Sequence, residues 1–286
     1  MFKIAVVTDT QGCLPQELVE QNNIAIVPFT VIIDDKAYRD HVDMTVDEFW
    51  KTFHEKGHDI STSPASPGAY KEVFDELTKT YDTIVCIALA KRISMAYQSA
   101  TEAAKAVMEE KPEIKIEIVD TNIASGAQGL IALEVARAVK EGADLARVLA
   151  IAEEMKPKVK LMMGLASLKQ LIKNGRAPRI RGYLGELLGV KPITGMVNNT
   201  GLIDPLGKTR GMNKMMAMLV DLMSKYADTS KPMHVIVHYS DVLEDGDKLK
   251  KMVEETYNCA EIYMSPYTPV MAAATGPVLA LSFYSE

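Results

Sequence analysis

Phe2-Lys3-Ile4-Ala5-Val6-Val7-Thr8-Asp9-Thr10 opens the chain, and Leu14-Pro15 with an amphipathic stretch follows it. A short apolar run that breaks into polar, turn-forming residues and then into helical periodicity is the strand, loop and helix of an α/β unit. The pattern recurs. Ile24–Phe29 is a second apolar run, Thr83–Leu89 a third, and Ile114, Ile116 and Ile118 alternate into Asp120 as a fourth. Helical patterns separate them. Thr45-Val46-Asp47-Glu48 fits a capping box that starts a helix carrying Phe49, Trp50 and Phe53 inward as far as Gly57. Tyr70, Val73, Phe74 and Leu77 recur at helical spacing, as do Ala100, Ala103, Ala104 and Val107 within Ser99–Met108, and Gly129 begins another helix. The polar segment Asp34–Asp43 is expected to be a loop or a hairpin with Asp34-Asp35 at its tip.

Strands alternating with helices over the first 150 residues predict an α/β fold with a mostly parallel sheet covered on both faces. In such sheets ligands bind beyond the carboxyl ends of the strands, where Asp9, the loop after Phe29, Ser94 and Asp120 fall. Between two helical patterns lies Ser61-Thr62-Ser63-Pro64-Ala65-Ser66-Pro67-Gly68, which gathers four hydroxyls in a turn-forming segment. Ser, Pro and Gly dominate ordinary turns, so a helix-initiating loop is the plain reading. Uncharged hydroxyl donors on a stiff backbone also suit a small anionic group better than covalent chemistry.

The second half changes character. A helix is expected from Leu165 to Asn174, ending at Gly175, and a basic turn follows with Arg176, Arg179 and Arg181. The stretch 211–226 spaces Met212, Met215, Met216, Leu219, Val220 and Met223 along one helical face, a core or lining pattern. His234–Tyr239 and Ala260–Met264 read as strands, Leu249–Tyr257 as a helix, and Val278–Tyr284 as an apolar end. Lys156-Pro157-Lys158 interrupts the pattern and places the domain boundary near 150–160.

Composition narrows the function. With 286 residues, 48% hydrophobic and 24% charged, the chain can bury a substantial core, in two modest domains or one large one. A net charge of −6 gives no basic face for nucleic acid. No apolar run approaches the roughly 20 residues that cross a bilayer. The first residues lack a charged n-region, so a cytoplasmic protein is expected. Three scattered cysteines, Cys13, Cys86 and Cys259, suggest neither a disulfide framework nor a metal site.

Two strings imitate catalytic motifs. His54-Glu55-Lys56-Gly57-His58 matches H-E-x-x-H, but Gly57 is expected to end the helix and throw His58 off the ligating face, so no metal is expected. Gly207-Lys208-Thr209 resembles the end of a phosphate-binding loop, yet five residues separate Gly201 from Gly207 where four are needed. His234 and His238 share a strand face and are expected at an edge or boundary position. A hydrolase using Ser94 lacks a visible base.

Taken in order, these segments resemble the DegV family of bacterial fatty-acid-binding proteins over nearly the full length. The resemblance rests on Thr8-Asp9-Thr10 with Leu14-Pro15, Thr62 to Gly68, Ser94 to Ala100, Asp120 and Ser125-Gly126. It continues through Gly175-Arg176, Leu187 to Ile193, Gly207 to Arg210 and Thr275-Gly276-Pro277. It implies a two-domain α/β fold: an N-terminal three-layer α/β/α domain (1–155) and a C-terminal α/β domain with a mixed sheet (156–286), closing over a long-chain fatty acid. By motif, Thr62, Ser63 and Ser94 hold the carboxylate, with Thr275 and Gly276 nearby. It further implies a non-catalytic subunit with no cofactor besides the bound lipid, which presents the acid to a dihydroxyacetone-kinase-like, ATP-dependent fatty acid kinase. Arg176, Arg179 and Arg181 are the expected docking surface. A carrier or sensor without a kinase is the alternative. The chain departs from the family pattern at Ala274, where a His is usual, at Val278, at Met95-Ala96 and at Pro64-Ala65. Loss of that imidazole removes a polar partner near the expected head group.

Overall fold

The computed structural model describes residues 3–55, 57–176, 179–180 and 189–286. The first half runs β1 (Ile4–Asp9), a 3-10 turn (Thr10–Gly12), α1 (Gln16–Gln21), β2 (Ile24–Val27), β3 (Thr30–Ile33), β4 (Lys36–Arg39), α2 (Val46–His54) and β5 (Ile60–Ser63). It continues with α3 (Pro67–Leu77), β6 (Thr83–Ala88), α4 (Ala96–Glu110), β7 (Lys115–Asp120) and α5 (Ser125–Lys140). Strands β2-β1-β6-β7 form an all-parallel sheet in that order, as the alternation predicts.

A second, three-stranded antiparallel sheet, β4-β3-β5, comes from segments read from sequence as loops. Asp34 and Asp35 both take left-handed φ, 48° and 64°, so β3 and β4 are joined by a two-residue turn whose twist matches the strands. On the other side of β3, Thr30, Val31 and Ile32 pair with Ser63, Thr62 and Ser61. The expected loop between two helices therefore begins as a strand; only Pro64 to Ser66 turns, and Ser66 caps α3 by accepting from the Ala69 amide. The Thr45–Glu48 capping box forms in full. Helix α2 ends at His54, ahead of Gly57, because Glu55 is already extended at ψ 144°.

The remainder runs α6 (Leu145–Met155), β8 (Lys160–Leu165), α7 (Lys169–Lys173), β9 (Val190–Met196), β10 (Asp204–Arg210) and α8 (Met212–Tyr226). It closes with β11 (Met233–Tyr239), α9 (Leu243–Thr256), β12 (Cys259–Pro266), α10 (Pro269–Thr275) and β13 (Val278–Ser285). Its mixed sheet is ordered β10-β9-β8-β13-β11-β12, with β11–β12 parallel and the other pairs antiparallel. Leu165, expected to start a helix, instead closes β8 opposite Val278. Gly207-Lys208-Thr209 lies on β10, paired with β9, which removes the loop a phosphate would need. Helix α9 starts at Leu243, six residues before the expected Leu249.

Helix α5 packs against both large sheets. Its buried residues include Gly126, Ala127, Gly129, Leu130, Ile131 and Leu133, so it is apolar around most of its circumference. Its small residues permit close approach: a Cβ on Gly129 would lie 2.3 Å from the Gly12 carbonyl oxygen, and one on Gly126 2.2 Å from His238 Nε2. Gln128, its one buried amide, donates through Nε2 to Thr8 Oγ1, Asp9 Oδ2 and the Ile87 carbonyl at 3.0, 3.1 and 3.2 Å. Burial pushes the Asp9 carboxyl up to about 7 despite these donors.

A carboxyl raised in the folded state favours folding below its ordinary value, and that contribution is lost as pH climbs through the folded pKa. Asp9 thus works against stability between about pH 4 and pH 7. Stability relative to Asp9→Asn, from urea denaturation at each pH, is expected to fall between pH 5 and pH 8. A pH-independent difference would remove Asp9 as the titrating group.

Candidate functional site

A narrow slot lies between the parallel sheet and the mixed sheet, with the β4-β3-β5 sheet at its side. Phe29, Leu89, Ile93 and Ala124 form one wall, contributed by the carboxyl ends of β2 and β6 and the segment before α5. Leu161 and Met163 of β8, Met196 of β9 and Ile203 form the opposite wall. Leu171, Met271 and Ala274 close it. The void measures about 570 Å3 including solvent at its mouth, of which about 50 Å3 admits the centre of a water-sized sphere. It is a thread-like space.

Five polar side chains reach this apolar slot: Gln11, Thr62, Ser94, Arg176 and Thr275. Three strand-based or strand-end segments set them there. Alternation along β5 turns Thr62 toward the slot, and Ser63, one residue on, is absent from the lining and donates weakly to the Pro64 carbonyl at 3.2 Å. Ser94 sits past the carboxyl end of β6, where its Oγ accepts the Ala96 amide at 3.1 Å and so orders the start of α4. Thr275 ends α10; its Oγ1 donates to the Met271 carbonyl at 2.9 Å. Gly276 follows at φ 70° and does not line the slot. Thr62, by contrast, makes no side-chain hydrogen bond among the described residues, so its hydroxyl is available to an occupant.

The basic turn divides. Arg176 is half-buried in the slot lining, and burial lowers its guanidinium pKa. Arg179 points to the surface and pairs with Asp204 at 2.6 Å. Arg181 lies outside the described residues. Sequence reading assigned Arg176 to the surface; the signal it missed is that Gly175, at φ 69°, turns the chain back after α7. Gln11 was missed too, because a 3-10 turn carries no periodicity.

The histidines stand away from the slot. His54 lies 2.5 Å from Asp241 and His58 bonds to Asp34, so the H-E-x-x-H string is split between two unrelated carboxylates. His238 is fully buried, with Nε2 3.1 Å from Ser282 Oγ, and burial pushes its pKa down to about 3. It is no edge residue: β11 runs between β13 and β12. Among the described residues, Glu134, His234 and Glu261 bring acid and imidazole atoms together. There Arg137 occupies the centre, 2.8 Å from Glu134 and 2.5 Å from Glu261, which makes an ion network of it. Cys13, Cys86 and Cys259 are free thiols.

Two α/β lobes with their sheets facing across an apolar slot define a ligand-binding architecture. The chain belongs to the DegV family: the family model described as "Uncharacterised protein, DegV family" matches residues 3–286. A DegV domain-containing protein of Caldanaerobacter subterraneus is 34% identical over 223 residues, 78% of this chain and 77% of that one. A solved DegV family protein from Thermus thermophilus, described by its fatty acid binding, superposes with a TM-score of 0.90 at 26% identity, covering 99% of this chain and 100% of that one. A stearic-acid-binding protein from Eubacterium ventriosum gives 0.89 at 26% identity, covering 100% and 98%. No helix among the described residues is long and apolar enough to cross a membrane.

Ser94→Ala is expected to lower unfolding free energy by about 0.5–1.5 kcal/mol, since it orphans the Ala96 amide. Thr62→Val should change it by less than about 0.5 kcal/mol, because no internal hydrogen bond is broken. Equal urea midpoints for the two variants would show that the Ser94 contact adds nothing.

Proposed function

We propose that the slot holds a long-chain fatty acid, with the carboxylate at the end where Thr62, Ser94 and Arg176 meet and the alkyl chain along the Leu, Ile and Met walls. One observation carries this reading: the slot is apolar along its length and places two hydroxyls and a guanidinium at one part of its lining. Burying each methylene contributes about 0.8 kcal/mol, so the walls supply most of the affinity. The polar groups keep the buried head from going unpaired and fix its direction. Ser63, Thr275 and Gly276 complete the set inferred from the family pattern; Thr275 is in the lining, and Ser63 and Gly276 adjoin it in sequence. We take the lobes that close on the ligand as residues 1–155 and 156–286.

The protein binds and presents its ligand and performs no chemistry on it. Supporting this, Ser94 accepts a backbone amide and no imidazole is in the slot lining, so the one plausible nucleophile has no base beside it. The consumer of the bound acid is an ATP-dependent kinase that makes acyl phosphate, a reading that rests on the family resemblance. Exposed Arg179 is the described member of the Arg176, Arg179 and Arg181 docking surface.

Native mass spectrometry of freshly purified protein, with organic extraction, is expected to reveal a co-purifying fatty acid. In a titration of delipidated protein, Thr62→Val should weaken fatty-acid binding roughly 10–150-fold, the range of one charge-assisted hydrogen bond. Unchanged affinity would place the carboxylate elsewhere. Arg179→Glu should leave that titration unaltered and reduce acyl-phosphate formation by the cognate kinase; undiminished phosphorylation would move the docking surface.

A further inference from the structure

A second, wider cavity opens behind the slot, at the carboxyl ends of β1 and β2. It offers about 600 Å3, within the roughly 300–1,000 Å3 typical of small-molecule sites and far more than one ion fills. One side is apolar, with Leu14, Val19, Ile24 and Ile26. The other carries Asp9, Asp40, Thr10 and Thr268. Asp40 is 1% exposed, and neither of its carboxylate oxygens has a hydrogen-bond partner.

An ionised carboxylate accepts up to four hydrogen bonds, and a buried one with none is costly to keep. The hydroxyls of Thr10 and Thr268 and the amides of His41 and Val270 surround Asp40, and none closes to hydrogen-bonding geometry. Thr10 Oγ1 is instead engaged as acceptor by the Phe29 amide at 3.1 Å. Asp9 adds a second buried carboxylate, and its oxygens are already met by the Gln11 amide and Gln128. The wall therefore holds acceptors in excess of donors and negative charge without a cation. Whatever fills it brings hydrogen-bond donors and positive charge, and a carbon body to cover the apolar side.

We propose that this cavity is a second binding site, independent of the slot, and that it takes the primary ammonium group of a small organic amine on Asp40. Three N–H donors match the two unpartnered oxygens and a neighbouring hydroxyl. Leu14, Val19 and Ile24 cover the carbon skeleton. Burial holds Asp40 up to about 7 in the empty protein, as expected of a carboxylate that lacks its cation.

The test titrates full-length, isotopically labelled protein with ethanolamine and propylamine, with ethylene glycol as neutral control and magnesium chloride as ionic control. The amines are expected to shift the amides of Thr10, His41 and Thr268, and ethylene glycol and magnesium to leave them in place. Asp40→Asn should weaken amine binding at least about 30-fold, the effect of removing one member of a buried charged pair. It should also melt no lower than the wild type without amine, because it discards an unpaired charge. Amine-insensitive spectra, an undiminished response in Asp40→Asn, or a response to magnesium alone would each overturn the proposal. Should Asp40→Asn melt lower, the wild-type shift map decides by itself: shifts confined to residues outside this cavity refute the site.

Discussion

Everything in this fold depends on how closely helix α5 can lie between two sheets. A helix with large side chains would hold the parallel and mixed sheets apart at ordinary packing distance. Here Gly129 rests against the Gly12 carbonyl and Gly126 against His238, each too near for a Cβ. Both contacts are made by backbone or by a buried ring that has nowhere to go. The glycines are therefore a requirement of the architecture, and the helix they weaken is held by burial on nearly every side. Gln128 adds direction to that burial: its amide reaches Thr8, Asp9 and the Ile87 carbonyl, tying the helix to β1 and β6 in one register.

The slot follows from that packing. Once α5 fixes the sheets, the carboxyl ends of β1, β2 and β6 face β8 and β9, and the side chains between them are mainly aliphatic or methionine. Methionine suits such a surface because it adapts to an irregular, narrow space without a polar demand. Asn174 donates to the Ala273 and Ala274 carbonyls, and Arg92 donates to the Thr200 carbonyl at 2.8 Å, so connections flanking the slot bridge the two halves.

Legibility in the sequence tracked periodicity. The parallel sheet could be read because Ile4–Asp9, Thr83–Ala88 and Lys115–Asp120 are apolar runs ended by polar turns. Thr62 and Ser94 could be found because hydroxyls cluster around them at strand ends. Strand β5 could not: Ile60-Ser61-Thr62-Ser63 has one apolar residue, and its partner β3 lies some thirty residues earlier. Only tertiary pairing makes it a strand. Gly207-Lys208-Thr209 failed for the same reason, since its edge-strand pairing with β9 is invisible locally. Helix α10, seven residues of Pro, Val, Met, Ala and Thr, is too short for a repeating stripe to declare itself.

The residue at 274 shows how composition and site geometry constrain one another. Ala274 lies in the slot lining, so an imidazole there would project into the same space as Thr62, Ser94 and Arg176. With alanine, the slot's polar groups are neutral apart from one guanidinium, and that guanidinium is itself disfavoured by burial. An anion beside Arg176 would relieve the arginine's desolvation while the arginine relieved the anion's, so each charge is tolerable only in the presence of the other. Hydroxyls alone could not do this, because they orient a carboxylate without neutralising it. The two kinds of group are complementary: the cation makes burial of the head possible, and Thr62 and Ser94 decide which way it points.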